Sequence, residues 1–142
     1  QDPRGPSNGA PVTAFVDTNI LVRHLTADPP EMAARATAFL TDATHLLLPD
    51  LIVAETVYVL ESFYATPRSQ VAATPRAVLP FPALRVIDRD LLQRTIELYD
   101  LLRLDFADAY LVASAERTGI GVIASFDRGI DRATTIRREE PR

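Results

Sequence analysis

Short apolar runs alternate along the chain with longer stretches in which apolar residues recur every three or four positions, a pattern that predicts strands separated by amphipathic helices. The runs are Val12 to Val16, His45 to Leu48 and Leu84 to Ile87, with a fourth leading into Asp127. A first helix is expected where Ile20, Leu21 and Val22 follow Asp17, and others over Glu31 to Leu40, Asp50 to Tyr64, Arg89 to Leu102, and Phe106 to a stop at Gly119. Pro29 and Pro30 close the first helix and open the second, since proline is tolerated at the first helical position, and Asp50 is placed to cap the third. Arg68 to Leu79 has helix-forming composition but contains Pro75, which breaks or kinks it. After the Asp127 strand, Asp131 to Thr134 reads as a turn, Thr135 and Ile136 as a brief edge strand, and Arg137 to Arg142 as a charged, solvated tail. Gln1 to Pro11 is rich in Pro, Gly, Ser and Asn and is expected to be disordered, which leaves residues 12–136 as the folded part.

Strands alternating with helices imply an α/β fold with a parallel sheet covered on both faces. In such sheets ligands bind outside the carboxyl ends of the strands. Leu91, Leu92, Thr95, Ile96, Leu98 and Tyr99 are candidates for the core, as are Ile20, Leu21, Val22, Leu25 and the Phe63–Tyr64 pair. The length of 142 residues, 47% of them hydrophobic, suits one globular domain. No run of about twenty apolar residues is present to span a bilayer, and no signal-peptide pattern opens the chain, so a cytoplasmic protein is expected.

Side-chain inventory narrows the chemistry. Cysteine is absent and only His24 and His45 are available, which excludes disulfides, thiolate chemistry and a conventional zinc site. All basic residues are arginine. Without lysine there is no P-loop, no Schiff base, and no partner for a phosphatase-type aspartate nucleophile, which would also need a second acid where Asn19 stands. The net charge of −4 argues against broad electrostatic adhesion to nucleic acid, although a local arginine patch can still touch phosphate.

Against that background the acids stand out by position. Asp17 ends the first strand, Asp127 ends the last, and Asp108 begins the helix before it. Glu55 follows the second strand and has Leu51, Tyr58 and Val59 on its own face, so it is an acid on an apolar stripe. Carboxylates gathered at one sheet edge repel unless a proton or a cation neutralises them. Oxygen ligands without soft donors favour Mg²⁺ or Mn²⁺.

Simpler roles compete for several positions. Asp105 can serve as the N-cap of the helix from Phe106, and Asp108 gains from that helix's dipole. Thr18 or Asn19 can cap the first helix or steer a metal-bound water; Ser125 can be satisfied locally or hold such a water or a phosphate. Glu55 has the alternative of an ion pair with Arg23, and Arg128 and Arg132 can pair with acids or touch a phosphate. His24 and His45 read as ordinary surface or core-edge residues.

The segments VDTNILVR from Val16, LIVAETVYVLE from Leu51, LDFADAYLVASA from Leu104 and IASFDRGID from Ile123 resemble, in that order, the PIN domain of VapC-type toxins. The resemblance covers nearly all of Ala14 to Arg132. It implies a three-layer α/β/α PIN-like domain with a central, mostly parallel sheet of four to five strands. It also implies an Mg²⁺-dependent endoribonuclease, with Mn²⁺ able to substitute, that acts as the toxin of a type II toxin–antitoxin system. Such a toxin cleaves tRNA or rRNA to inhibit translation, is bound by a VapB-type antitoxin, and forms a homodimer. By position, the catalytic and metal-holding acids are Asp17, Glu55, Asp108 and Asp127, with Asp105 an additional candidate, and Thr18, Asn19, Ser125 and Arg128 lie around them. Where many relatives carry a further acid this chain has Gly129, which leaves Asp131 as a lesser candidate, and Pro75 interrupts a segment that is a continuous helix in relatives. A PIN-fold binding or scaffold domain without turnover is the alternative reading.

Overall fold

The computed structural model describes residues 13–142, so the extension expected at Gln1 to Pro11, and Val12 of the first strand, lie outside the described residues. In chain order the elements are β1 (Thr13–Phe15), α1 (Thr18–Thr26), α2 (Pro30–Asp42), β2 (His45–Leu48), α3 (Asp50–Ser62), α4 (Arg68–Ala72), α5 (Thr74–Val78), β3 (Leu84–Val86), α6 (Arg89–Leu101), α7 (Phe106–Thr118), β4 (Val122–Ala124), a 3-10 turn (Arg128–Arg132) and β5 (Arg137–Glu139). They form two compact units. One runs to Ala65 and resumes at Ala73–Ile87; the other holds Thr66–Ala72 and Asp88–Arg142.

The first unit is a parallel sheet of order β1-β2-β3 with its connecting helices. Phe15 lies opposite Leu47, and Leu47 opposite Arg85. Side chains alternate across a strand, and Leu46, Leu48 and Leu84 accordingly point into one core with Val16, Leu21, Leu40 and Val78. Phe15, Leu47 and Arg85 point the other way and are exposed. Pro30 begins α2 as expected. Pro49 rather than Asp50 takes the cap position of α3, and Asp50 is its first helical residue. Helix α3 is apolar nearly all round, so period alone does not say which stripe is inside. Thr56, Val57 and Leu60 are buried, whereas Leu51, Tyr58 and Phe63 face solvent, which removes Phe63 from the expected core.

In the second unit α6 and α7 pack together, and β4 and β5 pair in parallel. Asp88 caps α6 by accepting from the Leu91 amide at 3.0 Å. Leu92, Thr95, Leu98 and Tyr99 form the buried stripe of α6. Gly119 ends α7 with φ at +75°, a conformation that a Cβ disfavours. Arg68 ties α4 into this unit: Nη1 donates to the carbonyls of Tyr99 and Leu104, and the guanidinium stands 4.2 Å from the centre of the Tyr99 ring. Pro75 divides the expected helix into α4 and α5, and takes a place in the first turn of α5, where its missing N–H costs nothing.

The C-terminal expectation is corrected. The edge strand is not Thr135 and Ile136 but Arg137–Glu139, which pairs with Val122–Ala124 in the interior of the residues read as a solvated tail. Charged side chains hide such a strand in the sequence, because the ladder is made by the backbone. Among the described residues no helix is long and apolar enough to cross a membrane.

Leu46, fully buried in the first core, gives a direct check on this packing. Leu46→Ala is expected to lower unfolding free energy by about 2–5 kcal/mol in urea denaturation, the usual cost of an unfilled leucine site.

Candidate active site

Asp105 and Asp108 stand one helical turn apart at the start of α7, and Asp127 stands at the start of the 3-10 turn after β4. Asp105 occupies the N-cap position, but its side chain makes no capping bond. Its charge bears instead on Asp108. Burial is the main influence raising the Asp108 pKa above the usual carboxylate value; a hydrogen bond to the Asp127 carboxyl, the Asp127 charge and the Asp105 charge add to it. The second unit thus sets Asp108 against Asp127, with Asp105 near enough to be felt.

Asp127 is fixed by local bonds. Its amide donates to Ser125 Oγ at 2.9 Å, and its Oδ1 accepts from the Gly129 amide at 2.8 Å. Ser125 is therefore satisfied locally, the simpler of its two expected roles. A Cβ on residue 129 would lie 3.0 Å from that same Oδ1, so glycine suits the close approach. Asp131 is engaged elsewhere: Arg138 forks onto it, Nε to Oδ1 at 3.0 Å and Nη2 to Oδ2 at 3.2 Å. That fork holds the Asp131 pKa below the usual value, the hydrogen bond from Arg138 contributing most. Arg128 is exposed beside Asp127, and Arg132 donates to the Arg103 carbonyl at 3.0 Å.

Asp17 and Glu55 belong to the first unit. Asp17 follows β1 directly and takes the N-cap position of α1 without a side-chain capping bond, a place expected for Thr18 or Asn19. Thr18 is instead the first helical residue; its hydroxyl is buried with no hydrogen-bond partner among the described residues, the kind of group that a ligand or its water satisfies. Asn19 is exposed. Glu55 corrects its expected setting. It is exposed, as are Leu51 and Tyr58 on its face, because α3 buries the adjacent stripe. Arg23 donates to the Asp28 carbonyl, and no Glu55–Arg23 ion pair forms among the described residues. His24 bonds Thr37 Oγ1 at 2.8 Å and meets the Phe81 ring edge-on, as befits a core-edge residue.

Among the described residues no group of three or more His, Asp or Glu side chains is gathered tightly enough to hold an ion. The donor chemistry nevertheless fits a hard divalent cation. Asp108 and Asp127 offer only oxygen donors, and the repulsion that helps raise the Asp108 pKa is what a cation would relieve. Sequence reasoning singled out these acids but missed Arg138, whose only signal was a charged residue in an apparent tail.

The family model of the PIN domain matches residues 14–135, across both units, and the chain belongs to the PIN domain family. Its fold is that family's α/β fold with parallel strands. Among solved structures it is similar to VapC20 of Mycobacterium tuberculosis, a sarcin-ricin-loop-cleaving toxin. The identity is 23% and the TM-score 0.39, over 86% of this chain and 95% of that one. Among curated proteins nothing matches.

The carboxyl pair has a measurable signature. Folding raises the Asp108 pKa, so the folded state keeps this proton at a higher pH than the unfolded state does. The resulting destabilisation is absent below the unfolded pKa and sets in as pH rises from there through the folded value. In EDTA, Asp108→Asn is expected to melt higher than the unmodified protein at neutral pH, and the gap is expected to grow as pH rises above about 4, the unfolded value. A gap that is constant with pH in paired thermal melts would mean that the Asp108 charge is not the cause.

Proposed function

We propose that this PIN domain is the toxin of a type II toxin–antitoxin system. It is a VapC-type endoribonuclease that depends on Mg²⁺, with Mn²⁺ substituting, and hydrolyses phosphodiester bonds of tRNA or rRNA, inhibiting translation. The observation that carries this reading is the contact between the Asp108 and Asp127 carboxyls in a chain of this family. Side chains of like charge are rarely kept together without a counter-ion to receive.

Asp17, Asp108 and Asp127 hold the cation, with Glu55 on it directly or through water, and Asp105 adds negative charge at the helix start. When bound, the ion supplies Lewis-acid polarisation of the phosphate and a more acidic water. The chain's own contribution is placement. Ser125 and Gly129 fix the Asp127 carboxyl by the two bonds described above. The buried Thr18 hydroxyl and Asn19 orient water or substrate beside Asp17, and Arg128 meets the RNA backbone. A cognate VapB-type antitoxin and a homodimer are part of the same reading, as is action in the cytoplasm.

Total RNA incubated with the protein is expected to yield discrete fragments with Mg²⁺ or Mn²⁺ and none with EDTA. Asp17→Asn is expected to slow cleavage by more than about a hundredfold, beyond what the loss of an outer contact to a metal ligand costs, while circular dichroism stays unchanged. Full, EDTA-sensitive cleavage by that variant would contradict the role of Asp17. Absence of both fragments and a metal-dependent melting shift in the unmodified protein would favour the scaffold reading.

A further inference from the structure

We infer that Arg138, in β5, is a positioning residue that clamps the loop carrying Asp127. Its guanidinium bridges the two sides of that loop. Nη1 donates to the Ser125 carbonyl at 2.9 Å, before Asp127, while Nε and Nη2 fork onto Asp131, after it, at 3.0 and 3.2 Å. Nη1 also reaches Glu140 Oε1 at 3.1 Å. The Arg138 side chain is 12% exposed while Asp131 is 55% exposed, so it is the fork geometry and the bond to the Ser125 carbonyl, not burial of the pair, that define the clamp.

Ser125 is thereby held at three atoms. Its amide donates to the Glu139 carbonyl of β5 at 3.0 Å, its carbonyl accepts from Arg138, and its Oγ accepts from the Asp127 amide. On the far side, the Asp131 fork steadies the 3-10 turn whose Gly129 amide anchors the Asp127 carboxylate. A planar guanidinium meets both sides at once with donors in a fixed fork, whereas an ammonium is a point charge whose three donors have no such fixed arrangement. Arg138 lies beyond residues 14–135, the segment matched by the family model. The inference takes from the nuclease reading only the use to which Asp127 is put.

The test uses the full chain and two variants: Arg138→Met, and Arg94→Met, which breaks the Arg94–Glu116 fork between α6 and α7 and serves as the structural control. Two quantities are read: the Asp127 carboxyl ¹³C resonance without metal, and Mn²⁺ affinity by titration. The resonance is expected to move in Arg138→Met alone, and the Mn²⁺ Kd to rise about tenfold or more in Arg138→Met alone, the range for losing a contact that orients a metal ligand. A resonance that moves in neither variant, or in both, overturns the positioning role. So does a smaller rise in Kd, or an equal rise in Arg94→Met. If the unmodified protein binds no Mn²⁺, the nuclease reading fails, and the resonance still decides the role of Arg138. Should Arg138→Met not fold, Arg138→Lys takes its place, judged by the same resonance and the same rise in Kd.

Discussion

Asp108 and Asp127 lie carboxyl to carboxyl, although burial and charge both oppose the arrangement. Such a contact persists only where the surrounding structure holds it in place. Here the hold is visible. Helix α7 carries Asp108 at its third position, and the loop after β4 carries Asp127, pinned by Ser125 and Gly129, with Arg138 bonded to the Ser125 carbonyl and to Asp131. The backbone of the last strand and the Arg138 guanidinium both end on Ser125.

This arrangement explains two features that look like defects in the sequence. Gly129 replaces an acid, yet the Asp127 carboxylate approaches its backbone so closely that a side chain there would press on the oxygen. Asp131 is an available acid two residues on, but Arg138 has claimed both of its oxygens. Asp131 is therefore committed to Arg138 rather than added to Asp108 and Asp127.

Most of the fold was legible because apolar period and helix punctuation agree. His45–Leu48 is a continuous apolar run before a proline, and α6 and α7 start at aspartates and show clear stripes or a glycine stop. Legibility failed where composition and backbone role diverge. The β5 sequence, Arg-Arg-Glu, has nothing apolar to bury, and its only strand credential is a ladder with β4. In α3 apolar residues surround the axis, so the face of Glu55 could not be chosen by period, and the structure turns it to solvent. Asp17, Asp108 and Asp127 stood out because each sits at a joint between strand and helix or at a helix start, whereas Glu55 lies inside α3. The forces between Asp108 and Asp127 were not legible, since they depend on how the loop around Asp127 is bonded to Ser125 and Gly129.

The central claim is that a cation answers the charge at Asp108 and Asp127. The most direct measurement is a carboxyl-detected NMR titration of Asp108 with and without Mg²⁺. A pKa above the usual carboxylate value is expected in the metal-free protein and a fall below it once Mg²⁺ is present, because the ion favours the charged carboxylate. An Asp108 titration that Mg²⁺ leaves unmoved would contradict it.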